Sequence, residues 1–153
     1  MMAVCFTDRE LRRAWENNLQ AFQESASKSN AHRLLLFYAV ECGLKLALMK
    51  REGATCTADC PQLLDIQHDI NALLDALKTG RDYNLPKSLS MGFVRINQKR
   101  RERKISPGQI NQMWRYGGHL HTNSRDSSSF QSDIDIEKAL LKICQWLEDN
   151  ENL

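Results

Sequence analysis

Apolar residues recur at helical spacing along most of this 153-residue chain. The clearest case follows Thr7, where Glu10 completes a capping-box pattern and Leu11, Trp15 and Leu19 succeed one another every four residues. The same periodicity predicts helices from near Thr7 to a polar break at 25–30, and over 31–52, 63–79, 87–98, 106–116 and 133–149.

The stretch 31–52 is the most hydrophobic, and we expect its residues Leu34, Leu35, Phe37, Val40, Leu44 and Leu48 to fill a core. The stretch 87–98 is interrupted by Gly92, and the serine-rich segment 122–132 is typical of a loop. We find no alternating strand pattern and no internal repeat. The pattern therefore predicts an all-α fold, an up-and-down bundle of about five helices in a single domain over 1–153.

Composition agrees with a helical globular protein. Hydrophobic residues make up 42% of the chain and charged residues 26%, with only 3 prolines and 7 glycines. The net charge of +2 does not by itself indicate a nucleic-acid partner. The sequence contains no phosphate-binding glycine loop, no nucleophile elbow and no pair of catalytic carboxylates, so it suggests no cofactor.

The chain has five cysteines, an odd number at low density, which makes a disulfide framework an unfavoured interpretation. Cys56 and Cys60 form the single close pair. A zinc site would need two more ligands, and His68 is the one further candidate nearby, so we expect no metal site. Cys42 and Cys144 lie on apolar helical faces and are most simply core residues.

The sequence predicts a cytoplasmic protein with reduced thiols. Residues 1–6 lack the basic start and the apolar run of a signal peptide. The longest mostly apolar run, 34–49, is interrupted by Glu41 and Lys45, so we expect no membrane span.

Charge is unevenly distributed along the chain. Six basic residues and one acid lie between 95 and 104, whereas 133–153 holds six acids and two lysines. The basic cluster can bind phosphates, and its candidate RNA-binding residues are Lys99, Arg100, Arg101 and Arg103. The alternative is a solvated loop that pairs with the acidic C-terminal helix of the same or a neighbouring subunit.

Arg115, His119 and His121 are the candidate catalytic residues. An arginine followed closely by imidazoles can cleave RNA without a metal, because the imidazole transfers protons and the guanidinium neutralises the phosphate in the transition state. In the alternative interpretation, Gly117 and Gly118 simply end a helix, and the two histidines are exposed in the loop that follows.

Two segments carry a resemblance to a known superfamily. The stretch RLLLFYAVECGLKLALMKREG resembles the second helix of HEPN domains, and QHDINALLDAL resembles the helix that follows it there. The resemblance is sharp over 33–53 and 67–77 and covers 7–149 in helix order. The residues that carry it are Tyr38, Glu41, Leu44, Lys45, His68, Asp69, Leu73 and Leu74.

The resemblance implies a four-to-five-helix bundle that forms a symmetric homodimer. In the nuclease branch an arginine is followed after four to six residues by a histidine, and two copies of the motif build one site across the dimer axis. Arg115 and His121 fit that spacing, while His119 falls short of it. Two departures stand out: Tyr116 replaces a small polar residue, and the glycines at 117–118 interrupt the helix.

By the same resemblance, the chain is expected to be a toxin or phage-defence endoribonuclease, with a cognate antitoxin or other protein as a possible partner. His121 or His119 would act as general acid and base and Arg115 as phosphate clamp, with a 2′,3′-cyclic phosphate as product and no metal required. The alternative is a non-catalytic adaptor or regulatory module that binds a partner protein or nucleic acid.

Overall fold

The structure is a computed structural model that describes residues 4–121 and 130–153. Its main elements are six α-helices and one β-hairpin, with short 3-10 turns between them. In chain order they are α1 (Asp8–Glu24), α2 (Asn30–Arg51), α3 (Gln62–Ile66), α4 (Ile70–Leu77), β1 (Leu89–Ile96), β2 (Lys99–Ile105), α5 (Ile110–Arg115) and α6 (Asp133–Glu151).

Helix α2 is the centre of the fold and contacts α1, α4, α5 and α6. Contact on several sides explains why this helix is apolar around most of its circumference. Gly43 lets side chains of α1 and α6 approach this helix closely, since a β-carbon there would lie 2.7 Å from Cε3 of Trp15 and 2.9 Å from Cδ1 of Leu147. The predicted core residues Phe37, Val40, Leu44 and Leu48 are buried, whereas Leu34 and Leu35 are half-buried.

Helix α1 begins where the sequence predicts. The amide nitrogen of Glu10 donates to Oγ1 of Thr7, and the amide nitrogen of Thr7 donates to Oε1 of Glu10. This reciprocal cap satisfies two amides that the first turn would otherwise leave without partners.

The single helix predicted over 63–79 is wrong, because the chain breaks it into α3 and α4. Gln67 has a φ of 53°, which the helix cannot continue through. Asp69 then caps the new helix by accepting from the amide of Ala72 at 3.2 Å. His68, between them, is held by the carboxylate of Glu41 in α2.

The all-α prediction also needs correction: the fold is mostly helical, but it includes a two-stranded antiparallel sheet. The helix predicted over 87–98 is strand β1, and the basic cluster forms strand β2. Asn97 and Gln98, with φ of 52° and 65°, make the tight turn. Gly92, with φ of 81°, lies at a register shift between the strands.

Cys5 and Cys56 are joined by a disulfide, contrary to the expectation of reduced thiols. The tertiary fold brings them together, because the N-terminal arm runs beside the loop after α2. There the amide of Thr57 donates to the carbonyl of Phe6 at 2.8 Å, and the amide of Asp8 to that of Thr55 at 3.0 Å.

Cys42, Cys60 and Cys144 are free thiols. Cys144 is buried, as expected of a core residue, and Cys42 is half-buried. Burial raises the pKa of Cys42 to about 11 and that of Cys144 to about 12, so both stay protonated at neutral pH. Among the described residues, no helix combines the length and apolarity needed to cross a membrane.

Candidate nucleic-acid interface

Helix α5 ends at Arg115, and the two glycines after it turn the chain sharply. Gly117 adopts a φ of 79°, and the amide of Gly118 donates to the carbonyl of Met113 at 2.7 Å. Gly118 also packs closely, because a β-carbon there would lie 2.5 Å from Cε of Met91 in β1. The glycines thus end the helix, and Arg115 and His121 do not lie on one continuous helix.

Asp133, at the start of α6, fixes the segment that follows this turn. One carboxylate oxygen, Oδ1, accepts from Nε1 of Trp114 at 2.9 Å and from the amide of Leu120 at 3.1 Å. Nδ2 of Asn30 lies 3.2 Å from Oδ2 of Asp133 and 3.2 Å from the carbonyl of Gly118. This junction therefore ties α2, α5 and α6 to the segment that carries the histidines.

Replacement of Asp133 by alanine is expected to lower the free energy of unfolding by about 2 kcal/mol, because the buried Trp114 indole would lose its acceptor. Urea denaturation measures this change. Asp75→Ala is the matched control, since Asp75 is exposed on α4, and it is expected to change stability little. Equal stability of Asp133→Ala and the wild type would contradict this account of the junction.

Arg115 is exposed at the end of α5, and its guanidinium donates to the hydroxyl of Tyr38 in α2. This hydrogen bond, with a smaller contribution from Tyr116, raises the pKa of Arg115, so the guanidinium carries its charge at any ordinary pH. Tyr38 thus holds the cation at the surface, with guanidinium nitrogens left to donate to an anion.

His121 lies against the hairpin. Its amide donates to the carbonyl of Ser90 at 2.9 Å, and a β-carbon on Gly92 would come within 3.0 Å of its Cγ. A residue larger than glycine at position 92 would therefore displace this imidazole. His121 is exposed, so one side of the ring is free to meet a ligand.

His119 lines a cavity of about 430 Å³ between α5 and the base of the hairpin. Arg103 of β2 lines the same cavity, and its guanidinium donates to the carbonyl of Met91 at 3.2 Å. Gln112 and the exposed Tyr116 contribute from the α5 side. The structure thus brings a predicted catalytic residue, His119, and a predicted RNA-binding residue, Arg103, to one cavity.

The predicted RNA-binding residues lie on strand β2. Lys99, Arg100, Arg101 and Arg103 are all exposed, and alternation along the strand places Lys99, Arg101 and Arg103 on one face. Arg100, on the other face, stacks over the Phe93 ring with its guanidinium carbon 3.9 Å from the ring centroid. Lys99, Arg101 and Arg103 therefore form a basic ridge, which ends at the cavity that His119 lines.

The alternative role for this cluster, pairing with the acidic C-terminal helix of the same chain, is not observed in residues 4–121 and 130–153. The ion pairs there join α2 to α6 and Glu41 to its neighbours, and none involves the basic strand. The cluster also contains an acid, Glu102, whose carboxylate accepts from the hydroxyl of Ser90 at 3.4 Å.

A second polar cluster was not predicted as a site from the sequence. Nδ1 of His68 lies 2.5 Å from Oε1 of Glu41, and Nζ of Lys45 lies 3.7 Å from Oε2. The individual residues are part of the HEPN-like pattern, which was the available signal. Their contact spans 27 positions and depends on the break between α3 and α4. Asp69 caps α4 and takes no part in this cluster.

Within the part of the chain that the structure describes, no group of three or more His, Cys, Asp or Glu side chains is arranged to hold a metal ion. Comparison of the chain with protein-family models, with curated proteins and with solved structures gives no significant match. Membership of the HEPN superfamily therefore stays a prediction from the two sequence segments that carry the resemblance.

Proposed function

We propose that this protein binds RNA through its basic ridge and cleaves it as a metal-independent, HEPN-like endoribonuclease. The observation that supports this proposal most directly is that His119 and Arg103 line one cavity at the end of that ridge. A cation that binds phosphate beside an imidazole that transfers protons is the pairing this chemistry needs.

The ridge supports the binding step. Lys99, Arg101 and Arg103 lie on one face of β2 at alternate positions, so their charges follow a line along the first five of its 7 residues. An RNA strand laid along this line would place successive phosphates against these side chains. Binding of this kind is electrostatic, independent of sequence and sensitive to salt.

The chemical step needs two imidazoles, and the candidates are His119, which lines the cavity, and His121, which lies against the hairpin outside that lining. One neutral imidazole takes the proton of a ribose 2′-hydroxyl, and O2′ attacks the adjacent phosphorus. The bond from phosphorus to the 5′ oxygen breaks, and the second imidazole, in its protonated form, donates its proton to the leaving oxygen. The products are a 2′,3′-cyclic phosphate and a 5′-hydroxyl. Arg103, inside the cavity, and Arg115, which lies outside its lining beside Tyr38, would stabilise the charge that gathers on the phosphate.

A homodimer is part of the proposal, as the HEPN resemblance implies. Arg115 is exposed and held by Tyr38, so two copies that meet at this surface would present two guanidiniums to one RNA. The protein would act in a toxin or phage-defence setting, where a cognate antitoxin or another protein is the expected partner. The cytoplasm is the compartment proposed, although the disulfide between Cys5 and Cys56 is unusual there.

The test is incubation of purified protein with total RNA in EDTA, followed by identification of the new 3′ ends by mass spectrometry. Wild type is expected to produce 2′,3′-cyclic phosphates, and Arg115→Ala to produce far fewer. Arg9→Ala, at an exposed arginine of α1, is the matched control and is expected to cleave like wild type. RNA retention without cleavage would favour the alternative, a non-catalytic binding module.

A further inference from the structure

A second cavity, of about 600 Å³, lies between α1, α2 and the segment before α4. Its walls are mostly apolar and include Phe6, Leu11, Ala14 and Cys42. The volume is within the range of sites that hold small organic ligands. None of the residues proposed to bind or cleave RNA lines it.

One end of this cavity is polar and is organised around Glu41. The Glu41 side chain is 9% exposed, and its two oxygens face Nδ1 of His68 and Nζ of Lys45. A buried carboxylate with two such partners is satisfied within the protein. It also fixes the orientation of His68, so that Nε2 is the ring nitrogen left for a ligand. The His68 side chain is 44% exposed.

Arg13 of α1 supplies a positive charge to the same cavity, three residues from Glu10, whose pKa it helps to lower. Within residues 4–121 and 130–153 its guanidinium has no hydrogen bond or ion pair. The other acid at the rim, Glu10, is engaged in the cap of α1, where Oε1 accepts from both the amide and the hydroxyl of Thr7 at 3.0 Å. The groups that can meet a ligand anion therefore include the Arg13 guanidinium and the His68 imidazole, beside the Asn17 amide and the Lys45 ammonium.

The apolar end is closed by Phe6, which the N-terminal arm holds in place. The amide of Phe6 donates to Oγ1 of Thr57 at 2.9 Å, and the disulfide between Cys5 and Cys56 anchors the preceding residue. Phe6 remains 46% exposed, although it is a large aromatic residue. Apolar contact with a ligand would cover part of that surface.

We propose that this cavity is a binding site for a small organic carboxylate with an apolar tail. The carboxylate would accept from Arg13 and from Nε2 of His68 in its imidazolium form, since Nδ1 already donates to Glu41, and the tail would lie among Phe6, Leu11 and Ala14. Charge complementarity supports an anion, and the apolar walls favour a tail over a compact inorganic ion. The site is independent of the proposed RNA chemistry.

Titration of the 153-residue chain with octanoate below its micellar concentration tests this inference by calorimetry. Octanol and octylamine carry the same tail with no charge and with a positive charge. We expect saturable one-to-one binding of octanoate and at least tenfold weaker binding of the other two, since the charge-assisted hydrogen bonds would be lost. Equal or tighter binding of octylamine, or no binding of octanoate, would overturn the proposal.

The site is located by variants and by NMR. Arg13→Gln is expected to weaken octanoate binding about tenfold, whereas Arg12→Gln, which removes the same charge outside the cavity lining, is expected to leave it unchanged. Addition of octanoate should shift the Nε2 resonance of His68 in the wild type. Octanoate that binds the Arg13→Gln variant as tightly as the wild type, or that leaves this resonance unmoved, would place the ligand elsewhere and overturn the assignment.

Discussion

Replacement of His119 by asparagine is expected to slow RNA cleavage roughly 100- to 10,000-fold, the range typical for loss of a general acid or base. Asparagine keeps a polar side chain of similar size but cannot transfer the proton. His119 is exposed in the cavity that it shares with Arg103, so the substitution should leave the fold intact. Cleavage rates under single-turnover conditions, beside binding measured on the same RNA, separate chemistry from affinity.

His121→Asn is expected to slow RNA cleavage by a similar factor, because the second imidazole performs the complementary proton transfer. The double variant should lose little more than either single variant, since residues that act as a unit are not additive. His32→Gln is the matched control: His32 occupies the third position of the α2 cap, where its Nδ1 lies 3.1 Å from the amide of Ser29. Glutamine suits that position, so this variant should cleave normally.

If both histidine variants cleave as fast as wild type while Arg115→Ala also cleaves, the nuclease proposal fails. If His121→Asn alone loses activity, His121 acts without His119, as the family spacing of Arg115 and His121 implies. Either result leaves the basic ridge as a separate question, because binding and cleavage are measured independently.

Local signals in the sequence predict α1, α2 and α6 and much of the core. The capping box at Thr7 sets the start of α1, and the apolar α2 is buried at Phe37 and Val40. The hairpin was missed because β2 is almost entirely exposed and charged, so it has no alternation of apolar and polar residues. Pairing with β1 stabilises this strand, and only the tertiary structure reveals that partner.

Long-range contacts limited the prediction of the sites in the same way. The sequence singled out Arg115, His119 and His121, but it could not place His119 beside Arg103, because that proximity depends on the hairpin. The disulfide of Cys5 joins residues 51 positions apart, which counting cysteines cannot detect. Pairing of Glu41 with His68 likewise depends on a break that helical periodicity does not predict.

Neutralising Lys99 and Arg101 together is expected to reduce both the affinity for RNA and its salt dependence. Each phosphate contact with single-stranded RNA contributes about 0.7 to the slope of log K against log salt concentration, so the double change to glutamine should make the slope shallower by about 1.4. If the variant and the wild type bind equally at 1 M salt, this change in slope makes the variant bind about 25-fold more weakly at 0.1 M salt. The loss should be similar for RNAs of different sequence, since phosphates carry no sequence information.

The matched control is the double change Arg9→Gln and Arg12→Gln, which removes the same charge from α1. If the basic ridge is the interface, this control should keep the wild-type slope, because a loss of net charge alone does not remove a phosphate contact. Equal slopes for the two double variants would contradict the interface. The Lys99 and Arg101 variant is expected to bind RNA more weakly and to cleave it more slowly at low RNA concentration. Normal cleavage by this variant at saturating RNA would show that these side chains act in binding, and that the chemistry belongs to the histidines.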